Sequence, residues 1–515
     1  MTESKQETER KYDVPSADDT TWLPDLTGVG GVTSVVDHGT QDLDAVYYDT
    51  DDLRLAGTSA TLRRRTGGTD AGWHLKLPLS GDSREEIHAP LSDTVPDALR
   101  DLALSRTRGA ELRPVVRIRS TRAVRQFVGF GGKVLAELSI DAVRAESVRG
   151  AGTRAGWSEM AVELADDTDP DLLDAVEKTF GRSGIDRAHS PSKLARALAE
   201  TEAGAPRLSA QQVPERVALA PGSSGEEVLR YTEEQIRVLV HLDPAVRRDL
   251  PDSVHRMRVA CRRLRSVLRS YRSVVDREAA DPIREELKWL GNELAAERDQ
   301  EVLLERLTSR IETLPPELLF GPVTARLQIW DVTTSSEAHL RTLDALNSPR
   351  YLALLDSLAT LTQQPPLRTK ASRKPSNVMA KAILKEYGRL ARRVAHAVDV
   401  PPGTDRDTAL HEARKAAKRT RYATEPAHDS LRKPAKRLGK RVKAVQKVLG
   451  DHQDSVVARD ALRELALAAH AAGETGFVWG LLYGQEEAIA EARERELAAV
   501  WEAASRGALR RALTR

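Results

Sequence analysis

Two regimes of hydrophobic patterning divide the chain. From residue 1 to about 200, short alternating runs read as strands: VYYDT (46–50), ATLRRR (60–65), WHLKL (73–77), VVRIRS (115–120), VLAELSI (134–140) and MAVEL (160–164). Gly-rich breaks at 66–72, 129–132 and 150–156 separate them. Short strands at this spacing predict an antiparallel barrel or sandwich. Several carry charged residues at alternate positions, so one face of each strand is charged. A barrel with a polar interior accounts for that; a sandwich with a hydrophobic core does not. Residues 201–225 (GAP, VPERVALAP, GSSG) have linker composition. Beyond them, long Ala/Leu/Arg/Glu segments with three-four spacing of apolar positions predict helical bundles. A second break at 365–377, PPLRTKASRKPSN, splits this region into 226–364 and 378–515. The expectation is an α+β multidomain protein: a β-domain over 1–200, a linker, and two helical halves.

The halves repeat. His255-Arg-Met-Arg-Val-Ala-Cys-Arg-Arg-Leu-Arg265 aligns without a gap on His411-Glu-Ala-Arg-Lys-Ala-Ala-Lys-Arg-Thr-Arg421, 156 residues later. Downstream, LKWLGNELAAERDQEVL with Arg298 and Asp299 aligns on VKAVQKVLGDHQDSVVA with Gln453 and Asp454, 155 residues later. Two motifs in one order at nearly one offset indicate an internal duplication.

Composition narrows the picture less than distribution does. Lys+Arg number 79 and Asp+Glu 77 in 515 residues, a net charge of +2, so global charge predicts no partner. The single cysteine, Cys261, excludes an intramolecular disulfide and a cysteine-based zinc site. The N-terminus MTESKQETERKY lacks the layout of a signal peptide, and no apolar run reaches eighteen residues. The expectation is a cytoplasmic protein with no membrane span.

The charge is segregated. In the first repeat His255, Arg258, Arg262, Arg265 and Arg269 fall at i, i+3, i+7, i+10 and i+14, one continuous helical stripe. His411, Arg414, Lys418 and Arg421 make the same stripe in the second. Lys433, Arg437, Lys440 and Lys447 add a third cationic helix; residues 411–447 hold seven Lys and six Arg against three acids. Like charges at i,i+4 weaken a helix by a few tenths of a kcal/mol per pair. Stripes kept in that arrangement twice predict a negative partner, gripped between two facing helices by Arg forks and Lys point charges. Nucleic acid fits poorly, because the stripes lack interleaved aromatics for stacking bases; Tyr271 and Tyr422 are the nearest. A chain of phosphates asks only for spaced charge. A solvated helix face whose cations pair with acids elsewhere is the plainer reading of one such stripe; the same His-Arg stripe appearing twice favours the polyanion grip over it.

The N-terminal strands pair their charges too. Glu7 and Glu9 share a strand face with Lys11, as do Arg63 with Arg65, His74 with Lys76, Arg117 with Arg119, and Glu159 with Glu163. Carboxylate pairs can hold Mg²⁺ or Mn²⁺, while arginines and lysines on the other walls hold phosphates. Metal with a cationic clamp is the equipment of phosphoryl transfer.

These residues carry a family resemblance. ETERK (7–11), YYDTDDLRL (47–55), LRRR (62–65), WHLKLP (73–78), REE (84–86), SEMAVEL (158–164) and PSK (191–193) resemble the CYTH, or triphosphate tunnel metalloenzyme, superfamily. HRMRVACRRLR, HEARKAAKRTRY and GDHQDSVVA resemble the CHAD domain, the conserved histidine α-helical module that often follows CYTH. The resemblance implies an eight-stranded antiparallel tunnel that hydrolyses or binds triphosphate compounds with a divalent metal. It implies metal ligands at Glu7 and Glu9 with the late-strand Glu159 and Glu163, and phosphate contacts from Lys11, Arg63, Arg65, Lys76, Arg117, Arg119 and Lys193. Glu7, Glu9 and Lys11 are the expected catalytic groups. For the CHAD region it implies binding of inorganic polyphosphate, or tethering to polyphosphate granules, through the two stripes and Lys440. One departure stands out: the late strand usually reads Glu-x-Glu-x-Glu, and here Ala161 takes the middle place, with Asp141 or Glu86 as candidate replacements. The leading expectation is a metal-dependent triphosphatase fused to a polyphosphate-binding module. The rival is a non-catalytic polyphosphate-binding protein, and nucleotide cyclisation ranks last.

Overall fold

The computed structural model describes residues 3–149, 152–201 and 219–514, with residues 333–336 described in backbone only. Most of the expected linker, residues 202–218, lies outside the described residues. The chain divides into two compact units, Met1–Val213 and Pro214–Arg515.

The first unit is a closed antiparallel barrel of eight strands: β1 (Glu3–Asp13), β2 (Ser34–Asp49), β3 (Thr61–Thr66), β4 (Gly72–Pro78), β5 (Ser83–Ala89), β6 (Arg113–Val128), β7 (Val134–Ser147) and β8 (Arg154–Leu164). Their order around the wall is β1-β5-β4-β3-β2-β6-β7-β8. Helices α1 (Arg54–Gly57), α2 (Asp97–Thr107), α3 (Asp171–Arg182) and α4 (Lys193–Glu200) accompany them. The barrel is built inside out, as the charged alternation predicts. Its outer face is apolar and covered: Leu62, Trp73, Leu75 and Ile87 pack under α1 and α2, and Tyr12, Phe127, Ile140, Met160 and Val162 pack under α3. Period-two alternation then turns the charged positions of β1, β3, β4, β5, β7 and β8 inward. One end of the interior differs. There Tyr47, Val116, Ile118, Val143 and Trp157 pack around Leu194, Ala197 and Leu198 of α4, so the inner face is apolar where that helix fills it.

The second unit is helical: α5 (Ser224–Arg247), α6 (Ser253–Ser270), α7 (Arg277–Glu293), α8 (Ala295–Glu312), α9 (Val323–Asn347), α10 (Pro349–Gln363), α11 (Pro375–Asp399), α12 (Thr404–Thr424), α13 (Arg432–Ala471), α14 (Phe477–Ser505) and α15 (Gly507–Arg511). The duplication is visible in the helices. The repeated basic motifs occupy α6 and α12, and the second motif pair occupies α7–α8 and the continuous α13. One core draws on both halves, including Leu264, Leu287, Tyr351, Ile383, Ala416 and Leu438. The two basic helices meet directly, with Tyr271 Oη donating to the Ala423 carbonyl at 2.6 Å. A second cluster joins α8, α9, α13 and α14 through Leu307, Leu327, Leu462 and Trp479.

The corner between β2 and α1 is held by one buried carboxylate. Asp49 accepts from the backbone N–H of Thr50 at 2.7 Å, Leu55 at 2.9 Å and Ala56 at 2.9 Å. Asp49→Ala would leave those donors buried without an acceptor, at a cost of about 3 kcal/mol. Urea unfolding of the variant against the parent checks this.

Candidate functional site

The barrel encloses a cavity of about 860 Å³ lined by both signs of charge. Register arranges the carboxylates in rows. Glu9 of β1, Glu163 of β8 and Glu137 of β7 lie directly across from one another. Lys11, Ala161 and Ser139 form the next row, and Asp13, Glu159 and Asp141 the one after. Ala161 therefore leaves Lys11 facing a methyl group, and Lys11 turns back to Glu9 at 3.2 Å.

The opposite wall carries Arg63, Arg65, His74, Lys76, Arg84 and Glu86. Lys76 pairs with Glu7, and lies 3.5 Å from Glu86. Burial and a hydrogen bond shared with Glu86 push the Glu7 carboxyl up to about 8, against the pull of Lys76. Glu86 goes the other way: despite burial, the hydrogen bond from His74 and the charges of Lys76 and Arg63 hold it well below the ordinary range. Burial likewise opposes ionisation of Glu9, but Lys11, Lys76, Lys193 and Arg84 together hold it far down. Arg65, buried beside Arg63 and Arg122, drops to about 9.

Lys193, first residue of α4, is clamped between Asp141 at 2.9 Å and Glu159 at 2.8 Å. Asp141 also receives a two-pronged bond from Arg122 at 2.9 and 3.0 Å. Trp157 Nε1 donates to Glu159 at 2.7 Å. Asp141 and Glu159 are thus each paired with a cationic side chain of the barrel unit.

Two expected phosphate contacts are corrected. Arg117 and Arg119 point out of the barrel and bind Asp44 of β2, at 2.9 Å for Arg117 Nε and 3.3 Å for Arg119 Nε. On β6 the inward positions are Val116, Ile118, Arg122, Val124 and Gln126. At the α4 end the inner face is apolar, so charge there marks the outside. Arg122 is the β6 arginine that reaches the cavity; sequence reasoning missed it, along with Arg84 and Glu137. The register of β6 against β7, where Arg122 faces Asp141, is the signal that finds it.

The tunnel's acidic donor set is carboxylate oxygen, which Mg²⁺ and Mn²⁺ both prefer. Glu137, raised by burial and by the like charge of Glu163, is a group that a cation would stabilise. Among the described residues, trios of Asp, Glu and His whose ligand atoms already converge lie in the helical unit, at Asp249/Glu297/His339 and Asp407/His452/Glu494. They could hold a divalent metal.

In the helical unit four residues of the two stripes, Arg258, Arg262, Arg414 and Lys418, lie near enough to act on one another. Arg258 and Arg262 of α6 act on Lys418 of α12, which burial and the neighbouring Arg414, Arg262 and Arg258 push down to about 7. Arg414 is itself lowered, by burial and by Arg262. Two acids face this cluster in equivalent places, Asp299 at 2.8 Å from Arg258 and Asp454 at 3.5 Å from Arg414. The Nε atoms of Arg258, Arg262 and Arg414 are buried with no hydrogen-bond partner. Charged donors crowded in this way form a cradle that an anion could satisfy. The histidines frame it: His411 Nδ1 lies 2.5 Å from Gln453 Oε1, and burial and Arg298 lower His255. Further along, Arg265 is lowered by burial, Arg421 donates to Gln446 at 3.0 Å, and Lys440 is exposed on α13.

The CYTH domain family model matches residues 5–198, and the CHAD domain family model matches residues 230–463. A Mycobacterium tuberculosis protein, the uncharacterized protein MT2285 of strain CDC 1551 / Oshkosh, is 38% identical over 509 residues, spanning 96% of this chain and 95% of its own. The chain belongs to the CYTH–CHAD fusion proteins. Its closed eight-stranded barrel is the CYTH part and its helical unit the CHAD part. Similar solved structures include PptA from Streptomyces chartreusis, 22% identical with a TM-score of 0.46, covering 54% of this chain and 99% of that one. The PH1819 protein from Pyrococcus horikoshii OT3 is 18% identical with a TM-score of 0.24, covering 38% of the CYTH–CHAD chain and 98% of its own. Among the described residues no helix is long and apolar enough to cross a membrane.

The lowered Lys418 gives a stability prediction with a definite sign. Its folded value lies below that of the unfolded chain, so the penalty for its charge is complete below about pH 7 and fades as pH rises toward the ordinary lysine range. Lys418→Met should therefore stabilise the protein at pH 7, on the order of 2 kcal/mol after allowance for solvent screening. Denaturant melts should show the gain shrinking toward pH 10.

Proposed function

We propose that the CYTH tunnel of this protein hydrolyses a triphosphate-containing chain with Mg²⁺ or Mn²⁺, and that the CHAD unit binds inorganic polyphosphate. The observation that carries the reading is the cavity in which a row of carboxylates, Glu9, Glu163 and Glu137, shares the enclosed space with Arg63, Arg65, Lys76 and Arg84. Without a ligand these groups neutralise one another. A metal–triphosphate complex offers each set a better partner: phosphate oxygens for the cations, and the metal for the carboxylates. Glu7, Glu9, Glu163 and Glu137 would hold the cation, which supplies charge neutralisation on the reacting phosphate when bound. Arg63, Arg65, Lys76, Arg84 and Lys11 would fix the chain in line and carry the negative charge that builds on the leaving phosphate. Lys193, Asp141, Glu159 and Arg122 hold the α4 end of the wall in place.

The CHAD cradle between α6 and α12 would take polymer through Arg258, Arg262, Arg414 and Lys418, with Arg265, Arg421 and Lys440 extending the track. It raises the local concentration of phosphate chains for the tunnel on the same polypeptide. Ala161 supports the rival reading, a tunnel that binds chains without cutting them, because Lys11 lacks a carboxylate across the β1–β8 pair.

Phosphate release from tripolyphosphate with Mg²⁺ or Mn²⁺ separates the two. The hydrolytic reading expects turnover that falls at least a hundredfold in Glu9→Gln; release no greater than in that variant leaves the binding-only reading. For the CHAD unit, long-chain polyphosphate should bind the full chain with an affinity that falls steeply with salt. Arg258→Ala with Arg414→Ala should weaken binding and flatten the slope of log affinity against log salt; an unchanged slope sinks the cradle.

A further inference from the structure

The two acid–histidine trios of the helical unit are copies of one site. Glu297 on α8 and His452 on α13 are separated by 155 residues, as are His339 on α9 and Glu494 on α14. That is the offset of the duplicated second motif, so histidine and glutamate have exchanged places between the halves while the set of one imidazole and two carboxylates is kept. Asp249 and Asp407, just before and at the start of the basic helices, complete the trios.

The copies differ in geometry. In the first half His339 Nδ1 lies 3.1 Å from Glu297 Oε1, a direct hydrogen bond. In the second half His452 is 2% exposed, and its Nε2 has no hydrogen-bond partner. That nitrogen faces Asp407 Oδ1 at 3.4 Å and Glu494 Oε1 at 3.4 Å. Both distances are too long for a charge-assisted hydrogen bond, which closes to about 2.7–2.9 Å. They match instead the edge of a tetrahedron whose ligands sit about 2.1 Å from a central ion, roughly 3.4 Å. The outer carboxylate oxygens are already fixed: Arg459 donates to Asp407 Oδ2 at 3.0 Å and Arg406 to Glu494 Oε2 at 3.0 Å. Each acid thus keeps one oxygen turned toward the histidine, oriented by a guanidinium behind it.

We propose that Asp407, His452 and Glu494 bind a zinc ion, with water completing a four-coordinate shell. One imidazole with two carboxylates favours zinc over magnesium, which prefers oxygen alone. The ion joins α12, α13 and α14 and anchors the turn of α13 that presents Gln453 and Asp454 to the basic cradle. The first-half trio is the closed form of the site, its histidine taken by Glu297.

Cobalt is the probe. Chelator-treated full-length protein, titrated with Co²⁺ in phosphate-free buffer, should take up one equivalent showing the intense visible absorption of four-coordinate cobalt, and Zn²⁺ should displace it. His452→Gln should abolish that band, and Glu494→Gln should weaken cobalt binding at least tenfold. His339→Gln and the tunnel variant Glu9→Gln should leave it unchanged, which separates this site from any tunnel metal. A wild-type spectrum with only the weak absorption of six-coordinate cobalt overturns the proposal. So does a band that survives in well-folded His452→Gln, or one that disappears in His339→Gln.

Discussion

Charge removed from water must be neutralised where it lies, and both units of this protein are organised around that constraint. An isolated buried ion costs several kcal/mol, and breaking one member out of a buried network costs about 3–5 kcal/mol. The barrel meets the constraint internally. Lys193 sits between Asp141 and Glu159, Arg122 grips Asp141 with two bonds, and Lys76 lies between Glu7 and Glu86. Because the apolar residues face outward onto α1, α2 and α3, the wall is supported from outside and its interior is free to be polar.

The CHAD unit meets the same constraint incompletely. Four cations from two copies of one helix converge, and Asp299 and Asp454 are the acids that face them. Their mutual repulsion appears in the lowered Lys418 and Arg414, and three buried Nε–H groups lack acceptors. A folded protein tolerates this because the core beneath is large and shared by both halves. The deficit is of anionic charge, which a phosphate chain would supply. The two units therefore stand in opposite conditions: the tunnel's charges find partners on its own walls, while those of the basic helices are only partly matched.

Much of this was legible in the sequence. Period-two charge on the short strands pointed to a barrel with a polar interior. The nearly constant offset of the basic motifs pointed to duplicated helices whose stripes face each other. What alternation alone could not reveal is which parity faces in at each level of the barrel. Arg117 and Arg119 look like tunnel residues because they alternate with apolar ones, yet α4 fills that end and reverses the rule. Arg122, Arg84 and Glu137 were invisible for a related reason: each acquires meaning from the strand beside it, through pairs such as Arg122 with Asp141 and Glu137 with Glu163. The exchanged histidine and glutamate of the second motif were hidden because an exchange looks like mismatch until both copies are folded.

The proposed exchange of partners inside the tunnel implies that metal and phosphate chain bind cooperatively, since each would release groups that the other needs. Calorimetric titration with non-hydrolysable imidotriphosphate, with and without Mg²⁺, measures that coupling directly. Mg²⁺ should tighten triphosphate binding at least tenfold, and triphosphate should tighten Mg²⁺ binding by the same factor. Equal triphosphate affinity in the presence and absence of Mg²⁺ would contradict it.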